Sequence, residues 1–408
     1  MHSGRGISRA HQRSEPRDEN ESAPSRGLRS PPSGGHYSGV VNVPFLELKP
    51  TYDELRAEVD AAYRRVMDSG WYIFGPEITA FESEYAASVG VHHAIAVANG
   101  LEALQLVLMA ARVGPGDEVI VPSHTYIATW LAVTHVGATI VPCEPDERTW
   151  NIDPKRVEAL ITPRTRCILP VHLYGQTADV AALRALAAPR DILVLEDAAQ
   201  SQGATAHGIA SGALGHAAGV SFYPSKNLGA FGDAGAVTTS DPALADRVRT
   251  LRNYGSRERY HHEMPGLNSR LSELQCAFLR AKLPRLSAWN ARRRALAAIY
   301  RERLAAVPDL ALPEIAPWAD PVWHLFVVRT ARREALRAFL AARGIATQIH
   351  YPIPPHRSGA YASLGWKPGA FPLAERLAEE VLSLPIGPHH REDQIHAVCD
   401  AVRAFYGV

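Results

Sequence analysis

Between residues 93 and 239 the chain repeats one pattern, a short apolar run followed by a longer stretch with apolar residues at helical spacing. The short runs fall at 93–98, 118–121, 139–143, 167–171 and 192–195, and 235–239 adds another. Helical spacing marks 102–112, 128–136 and 180–187 between them. Strands alternating with helices in this way pair in parallel through crossovers, so the spacing predicts an α/β fold with a mostly parallel sheet covered on both faces. Two amphipathic helices, 52–68 and 77–88, precede the pattern, the second closed by Gly90.

After residue 239 a long helical stretch is expected, ending in an arginine-rich amphipathic helix over 285–305. Beyond 310 the pattern alternates again, with strands at 324–329 and 347–350 and helices at 332–343 and 391–406. Residues 41–284 are therefore expected to form a large domain, and 285–408 a linker helix with a smaller α+β domain. The first 40 residues are Ser, Arg, Gly, Pro and Glu with hardly an apolar side chain. Such a segment buries too little surface to offset its ordering entropy, so a disordered tail is expected there.

Composition excludes several classes of function. A formal net charge of +1 gives no electrostatic case for nucleic acid or an acidic membrane surface. No apolar run approaches the length of a membrane-spanning helix, and the N-terminus lacks the apolar segment of a signal peptide. The four cysteines, Cys143, Cys167, Cys276 and Cys399, have neither metal-ligand nor redox spacing, so reduced thiols in a cytoplasmic protein are expected. The 18 histidines form no His-Glu-x-x-His or comparable cluster, and no metal is expected.

The acidic pair Glu196-Asp197 directly follows the apolar run 192–195, which places Asp197 at the carboxyl end of a buried strand, where open α/β sheets bind ligands. Lys226 follows 29 residues later, within Ser221-Phe222-Tyr223-Pro224-Ser225-Lys226-Asn227. Either residue alone is unremarked in an α/β protein, since strands often end in acids and most lysines are solvated. The run around Lys226 is too apolar for an ordinary surface lysine, and desolvation there lowers an ammonium pKa. Pyridoxal phosphate needs this pair: a lysine for the Schiff base and a carboxylate to keep the pyridinium nitrogen protonated. Asn99-Gly100-Leu101 turns a strand into a helix through a glycine, a natural phosphate cradle, and Ser221 can add a hydroxyl. Tyr126, just past the strand at 118–121, can lay its ring on the pyridine face or serve as a core aromatic. A nicotinamide cofactor is disfavoured, because no Gly-x-Gly-x-x-Gly follows the first strand.

From about Val43 to the C-terminus the chain resembles the DegT/DnrJ/EryC1/StrS sugar aminotransferases, which have the fold-type-I aspartate aminotransferase architecture. The motifs that carry the resemblance are Gly114-Pro115-Gly116-Asp117-Glu118-Val119, Pro170-Val171-His172-Leu173-Tyr174-Gly175, Glu196-Asp197-Ala198-Ala199-Gln200 and the Ser221–Gly229 run. Arg252-Asn253-Tyr254-Gly255 and Asn268-Ser269-Arg270-Leu271 add to them. The resemblance implies that Lys226 forms the Schiff base and shuttles protons, that Asp197 partners the pyridinium, and that Gln200 contacts the cofactor's phenolic oxygen. It implies a phosphate site at Gly100, Leu101 and Ser221, a stacking ring at Tyr126, and Asn268 reaching the phosphate from a neighbouring subunit, hence a homodimer with shared active sites. Many relatives carry Thr where Leu101 stands, so a hydroxyl contact is absent here.

The implied reaction takes an amino group from L-glutamate to a keto group on a nucleotide-linked deoxysugar. A lysine at 226, where some relatives carry histidine and act as dehydratases, favours transamination. The segments 99–104 and 128–133 are most similar to enzymes acting at C3 of dTDP-linked 3-keto-6-deoxyhexoses. A C4-keto-sugar or cyclitol aminotransferase is the alternative, and a non-catalytic cofactor-binding sensor or scaffold the alternative of another class. His324, His350 and Tyr351 resemble residues lining the sugar pocket, with domain-closing packing as the other reading. Arg252 or Arg270 suits a donor carboxylate or a subunit-interface ion pair.

Overall fold

In the computed structural model the described residues are 42–408; the expected tail lies outside them. Seven strands form the central sheet: β1 (His93–Val97), β2 (Glu118–Pro122), β3 (Thr139–Cys143), β4 (Thr165–Ile168), β5 (Leu193–Asp197), β6 (Ala217–Ser221) and β7 (Gly235–Thr239). Their order is β1-β7-β6-β5-β4-β2-β3. Neighbours from β6 through β3 pair in parallel. Strand β7 alone runs antiparallel, between β1 and β6. The cause is local, because no crossover helix separates β6 from β7 and a parallel pair requires one. The loop that reverses the chain there carries Lys226.

Helices cover both faces, and β2, β6 and β7 are buried at every position, as expected of strands without a solvent face. Helix Gly100–Ala110 packs Ala103, Leu104, Leu106 and Val107 with the fully buried Trp130 on one side. On the other side Phe81, Tyr85 and Phe222 meet edge to face or stacked beneath β6 and β7. Gly219 in β6 marks the closest approach, since a Cβ there would lie 2.6 Å from Leu104 Cδ2. A second core surrounds the antiparallel pair β8 (Phe326–Arg329) and β9 (Val381–Leu384). Helices Leu286–Leu304, Arg333–Ala341 and Glu392–Tyr406 enclose it, with Tyr300 stacked on Phe326 at 4.6 Å.

Three expectations are corrected, and two strands are added. The helix expected over 52–68 is two helices, Lys49–Glu54 and Arg56–Ser69, because the chain bends at Leu55 to bury it fully beside Val59, Ala62 and Val66. The long helical stretch after 239 is interrupted between Pro242–Leu251 and Glu273–Lys282 by the small hairpin Ser256–Glu258/His261–His262. Segment 347–350 is not a strand: on the edge of β9 opposite β8, only Gln348 bridges Ser383. Strands β6 and β9 went unassigned: β6 is mostly Ala and Gly, and β9 follows helix Pro372–Glu380 without a turn signal.

Candidate active site

Asp197 ends β5 and is 5% exposed. Its Oδ2 accepts from Thr129 Oγ1 at 2.8 Å, and its Oδ1 from the Ala199 N–H at 3.2 Å. The backbone is fixed on the β4 side, where Asp197 N donates to the Pro170 carbonyl and its own carbonyl accepts from His172 N. Burial pushes the carboxyl above its usual range, while the Thr129 hydroxyl, the Ala199 N–H and the Lys226 charge pull it back part of the way. Its neighbour Glu196 points to the opposite face and is wholly occupied. Glu196 accepts from Gly212 and Gly215 N–H groups at 2.8 and 2.7 Å. His172 Nδ1 accepts from the Ala178 N–H, so its Nε2 carries the proton and donates to Glu196 at 2.8 Å.

Lys226 sits on the loop between β6 and β7. Its N–H donates to the Tyr223 carbonyl at 2.8 Å, and Asn227 anchors the loop by donating to Asn290 Oδ1 and the Val322 carbonyl. Desolvation lowers the Lys226 ammonium to about 8, against the opposing pull of Asp197. The sequence-predicted lysine and carboxylate are thus close enough to influence each other's charge.

The glycine turn lies against the end of β6. A Cβ on Gly100 would come within 2.6 Å of Ser221 Cβ, so only glycine lets the helix start approach this strand end. Asn99 caps the helix, its side chain accepting from Glu102 N at 2.9 Å. The first-turn N–H groups of Gly100 and Leu101 and the Ser221 hydroxyl are brought together at the positive end of helix Gly100–Ala110. Leu101 itself packs its side chain against the sheet core.

A third group closes over these residues from the loops. Gln200 accepts from Tyr174 N at 2.7 Å and donates to the Tyr351 hydroxyl at 2.9 Å. Tyr126 is 55% exposed, with its ring 5.3 Å from that of Tyr351. The Tyr174 hydroxyl donates to the His350 carbonyl, so His124 Nε2, 2.9 Å away, is the donor to that oxygen. His350 Nδ1 meets Ser383 Oγ at 2.8 Å, and burial with the Lys226 charge lowers its imidazole to about 4. His324 meets Asn227 at 3.2 Å; burial, then Lys226, Arg293 and His350, hold it well below the ordinary histidine value. Both histidines are neutral at pH 7.

Asn268 is apart from this group in register: it bridges Asn253 and its side chain is exposed. Its neighbour Ser269 accepts from Ala98 N at 3.2 Å. Arg252 is buried and committed within the chain, to Glu82 and the Ala96 carbonyl. Arg270 lies over the rings of Phe74 and Tyr254. Sequence reading missed Thr129, Thr125, Tyr174 and His124. Thr125 and Thr129 are four residues apart with hydroxyls 3.1 Å from each other, and that helical spacing at a strand end was the available signal. Tyr174 lay inside a quoted motif, but its partner His350 is 176 residues away. Among the described residues no group of three or more His, Cys, Asp or Glu could hold a metal ion.

The class this arrangement defines is an α/β enzyme whose sheet ends bring a lysine and a buried carboxylate within reach of each other's charge. Residues 53–403 match the DegT/DnrJ/EryC1/StrS aminotransferase family. The chain is 58% identical over 361 residues to dTDP-3-amino-3,4,6-trideoxy-alpha-D-glucose transaminase of Streptomyces venezuelae, covering 88% of this chain and 95% of that one. It is 56% identical to the erythromycin biosynthesis sensory transduction protein EryC1 of Saccharopolyspora erythraea, over 88% of this chain and 98% of the relative. Among solved structures, S. venezuelae DesV in complex with a ketimine intermediate superposes with a TM-score of 0.89 at 57% identity, covering 90% and 99% of the two chains. The chain belongs to the DegT/DnrJ/EryC1/StrS aminotransferase family.

Proposed function

We propose that this protein is a pyridoxal-phosphate-dependent aminotransferase that moves an amino group from L-glutamate to C3 of a dTDP-linked 3-keto-6-deoxyhexose. The single observation that carries the reading is Asp197 and Lys226, mutually influencing and desolvated, beside the Gly100–Ser221 cradle. The relatives' activity at the 3-position supports the choice of carbon.

The residues fit the cofactor. Asp197 is a buried carboxylate with one hydroxyl and one N–H as donors, and a protonated pyridinium N–H would supply the cationic partner that it lacks. The space denied to a Cβ at Gly100, with helix-start N–H groups and the Ser221 hydroxyl, suits a phosphate. Tyr126 and Gln200, joined through Tyr351, would supply an aromatic ring and an amide to hold the cofactor. When bound, the cofactor supplies an electron sink for the carbon losing its proton. The chain's own contribution is to hold charge and move protons. Lys226, with its lowered pKa, can give up its proton near neutrality and act as base and then acid at the amino-bearing carbon. Thr129 opposes the burial-driven rise of the Asp197 carboxyl and aims it, and His324 and His350 add no charge beside Lys226. We assign His324, His350 and Tyr351 to the sugar-facing wall.

The protein is further proposed to act as a homodimer with Asn268 serving the partner's phosphate site. Exposed Trp71, Tyr72, Ile73, Tyr254 and Tyr260 favour a covered face near Asn268. The four buried, unpaired cysteines favour a cytoplasmic setting. Incubating the cofactor-loaded protein with L-glutamate tests the enzymatic reading: the cofactor absorbance converts to that of the amine form, with release of 2-oxoglutarate. A sensor that only binds the cofactor gives no conversion.

A further inference from the structure

A buried lysine packs against the Lys226 loop. Lys282 ends helix Glu273–Lys282 and is 3% exposed. Its Nζ donates to the Gly229 carbonyl at 2.7 Å and stands 3.5 Å from the centroid of the Phe231 ring. Burial lowers its ammonium to about 7, with no carboxylate offsetting that shift. The other charged residues lining the adjoining cleft are Glu47, Lys226 and Arg293. Arg293 is occupied by the carbonyls of Trp323, His324 and Ile386. Burying a cation without a counter-ion is costly, and here its donors serve one loop.

That loop closes at Gly229, where a Cβ would lie 2.3 Å from the Pro224 carbonyl oxygen. Ala230 N donates to the Phe222 carbonyl at 2.7 Å, completing the closure. Two anchors directly follow Lys226: Asn227, tied to Asn290, and the Gly229 carbonyl, tied to Lys282. We propose that Lys282 is a positioning residue for Lys226. Its bond to the buried Gly229 carbonyl and its contact with Phe231 fix the closed end of the loop and keep the Lys226 amine in its dehydrated place. This rests on reading Lys226 as the cofactor-bearing lysine.

The test uses the full-length apoprotein and pyridoxal phosphate, with Lys282→Met, which removes charge and donor, and Lys282→Gln, which keeps a neutral donor. Tyr223 and Asp233 on the loop, with Asp197, His324, His350, Lys282, Glu47 and Arg293 around it, are charged or titratable groups near Lys226. The pH dependence of cofactor capture reads Lys226 directly, because only its neutral amine attacks. In K282M the midpoint is expected to move from about 8 toward the ordinary lysine value, and cofactor dissociation to quicken about tenfold, the loss expected for one buried hydrogen bond to a charged donor. K282Q should recover most of both. Wild-type capture and release in K282M would overturn the proposal. Should K282M fold poorly, Phe231→Leu, which removes the ring contact to Lys282, is the second variant: a midpoint moved toward the ordinary lysine value supports the proposal, and wild-type capture and release overturn it. A Lys226→Ala control separates the two claims, since a borohydride-reducible link surviving there defeats the underlying reading rather than the role of Lys282.

Discussion

The floor of the site and its wall are built on different principles. Asp197 and Ser221 are the last residues of buried parallel strands, and Gly100 opens a helix packed on the same sheet, so sheet register sets their positions. Tyr126, His350 and Tyr351 come from loops, and the last two are tied to β9 only at Ser383, by the Gln348 bridge and the His350 side chain. A group that must keep its geometry through both halves of a reaction sits where the backbone cannot shift. Groups that must admit a bulky second substrate sit where it can. The contrast predicts steep losses for substitutions in the floor and shallow ones in the wall.

The largest effect is expected for Lys226→Ala, which should cost transamination roughly three orders of magnitude or more, as loss of a positioned general acid–base does, with no reducible cofactor link in mass spectra. Asp197→Asn should still bind cofactor but turn over about a hundredfold or more slowly, since a neutral amide does not hold the ring nitrogen protonated. Next comes Thr129→Val: losing a hydrogen bond to a charged carboxylate of about 1.5–3 kcal/mol should slow turnover about tenfold or more. Thr129→Ser should restore it. The smallest loss is expected for Tyr351→Phe, which removes the bond to Gln200 and should raise KM for the sugar a few-fold with little change in kcat. A Tyr351→Phe loss as steep as that of Asp197→Asn would erase the distinction between floor and wall.

The pH behaviour of the floor has a definite sign. Burial lowers the folded-state pKa of Lys226, so its neutral, nucleophilic form accumulates as pH rises through about 8 rather than through the ordinary lysine range. Capture of pyridoxal phosphate by the apoprotein should therefore rise from pH 6.5 and level off above about 9, followed by stopped-flow absorbance. A profile still climbing at pH 10 would mean that the amine is hydrated.

Legibility in the sequence follows the same contrast. Asp197 and Lys226 were readable because strand ends and apolar loops announce themselves by residue type, and the strand at 139–143 was read to its last residue. Gly100 was readable as a strand-to-helix turn, though its reason for being glycine, contact with Ser221, is a tertiary fact. The chain's own sequence could not show that Glu196 belongs to His172 and two glycine N–H groups while Asp197 belongs to the site. Alternation along a strand puts adjacent acids on opposite faces, and only the packed structure says which face holds the cavity. The wall was least legible: the Tyr174–His350 and Gln200–Tyr351 bonds span 176 and 151 residues, beyond any local spacing.

The central claim, amination at C3, is tested most directly in reverse. A panel of dTDP-3-amino and dTDP-4-amino 6-deoxysugars is offered to the enzyme with 2-oxoglutarate as acceptor, and glutamate formation is measured. Faster turnover of the 3-amino sugars is the predicted result, because a pocket built around one hydroxyl arrangement rejects its absence strongly. Faster turnover of the 4-amino sugars would contradict the assignment and leave only the aminotransferase.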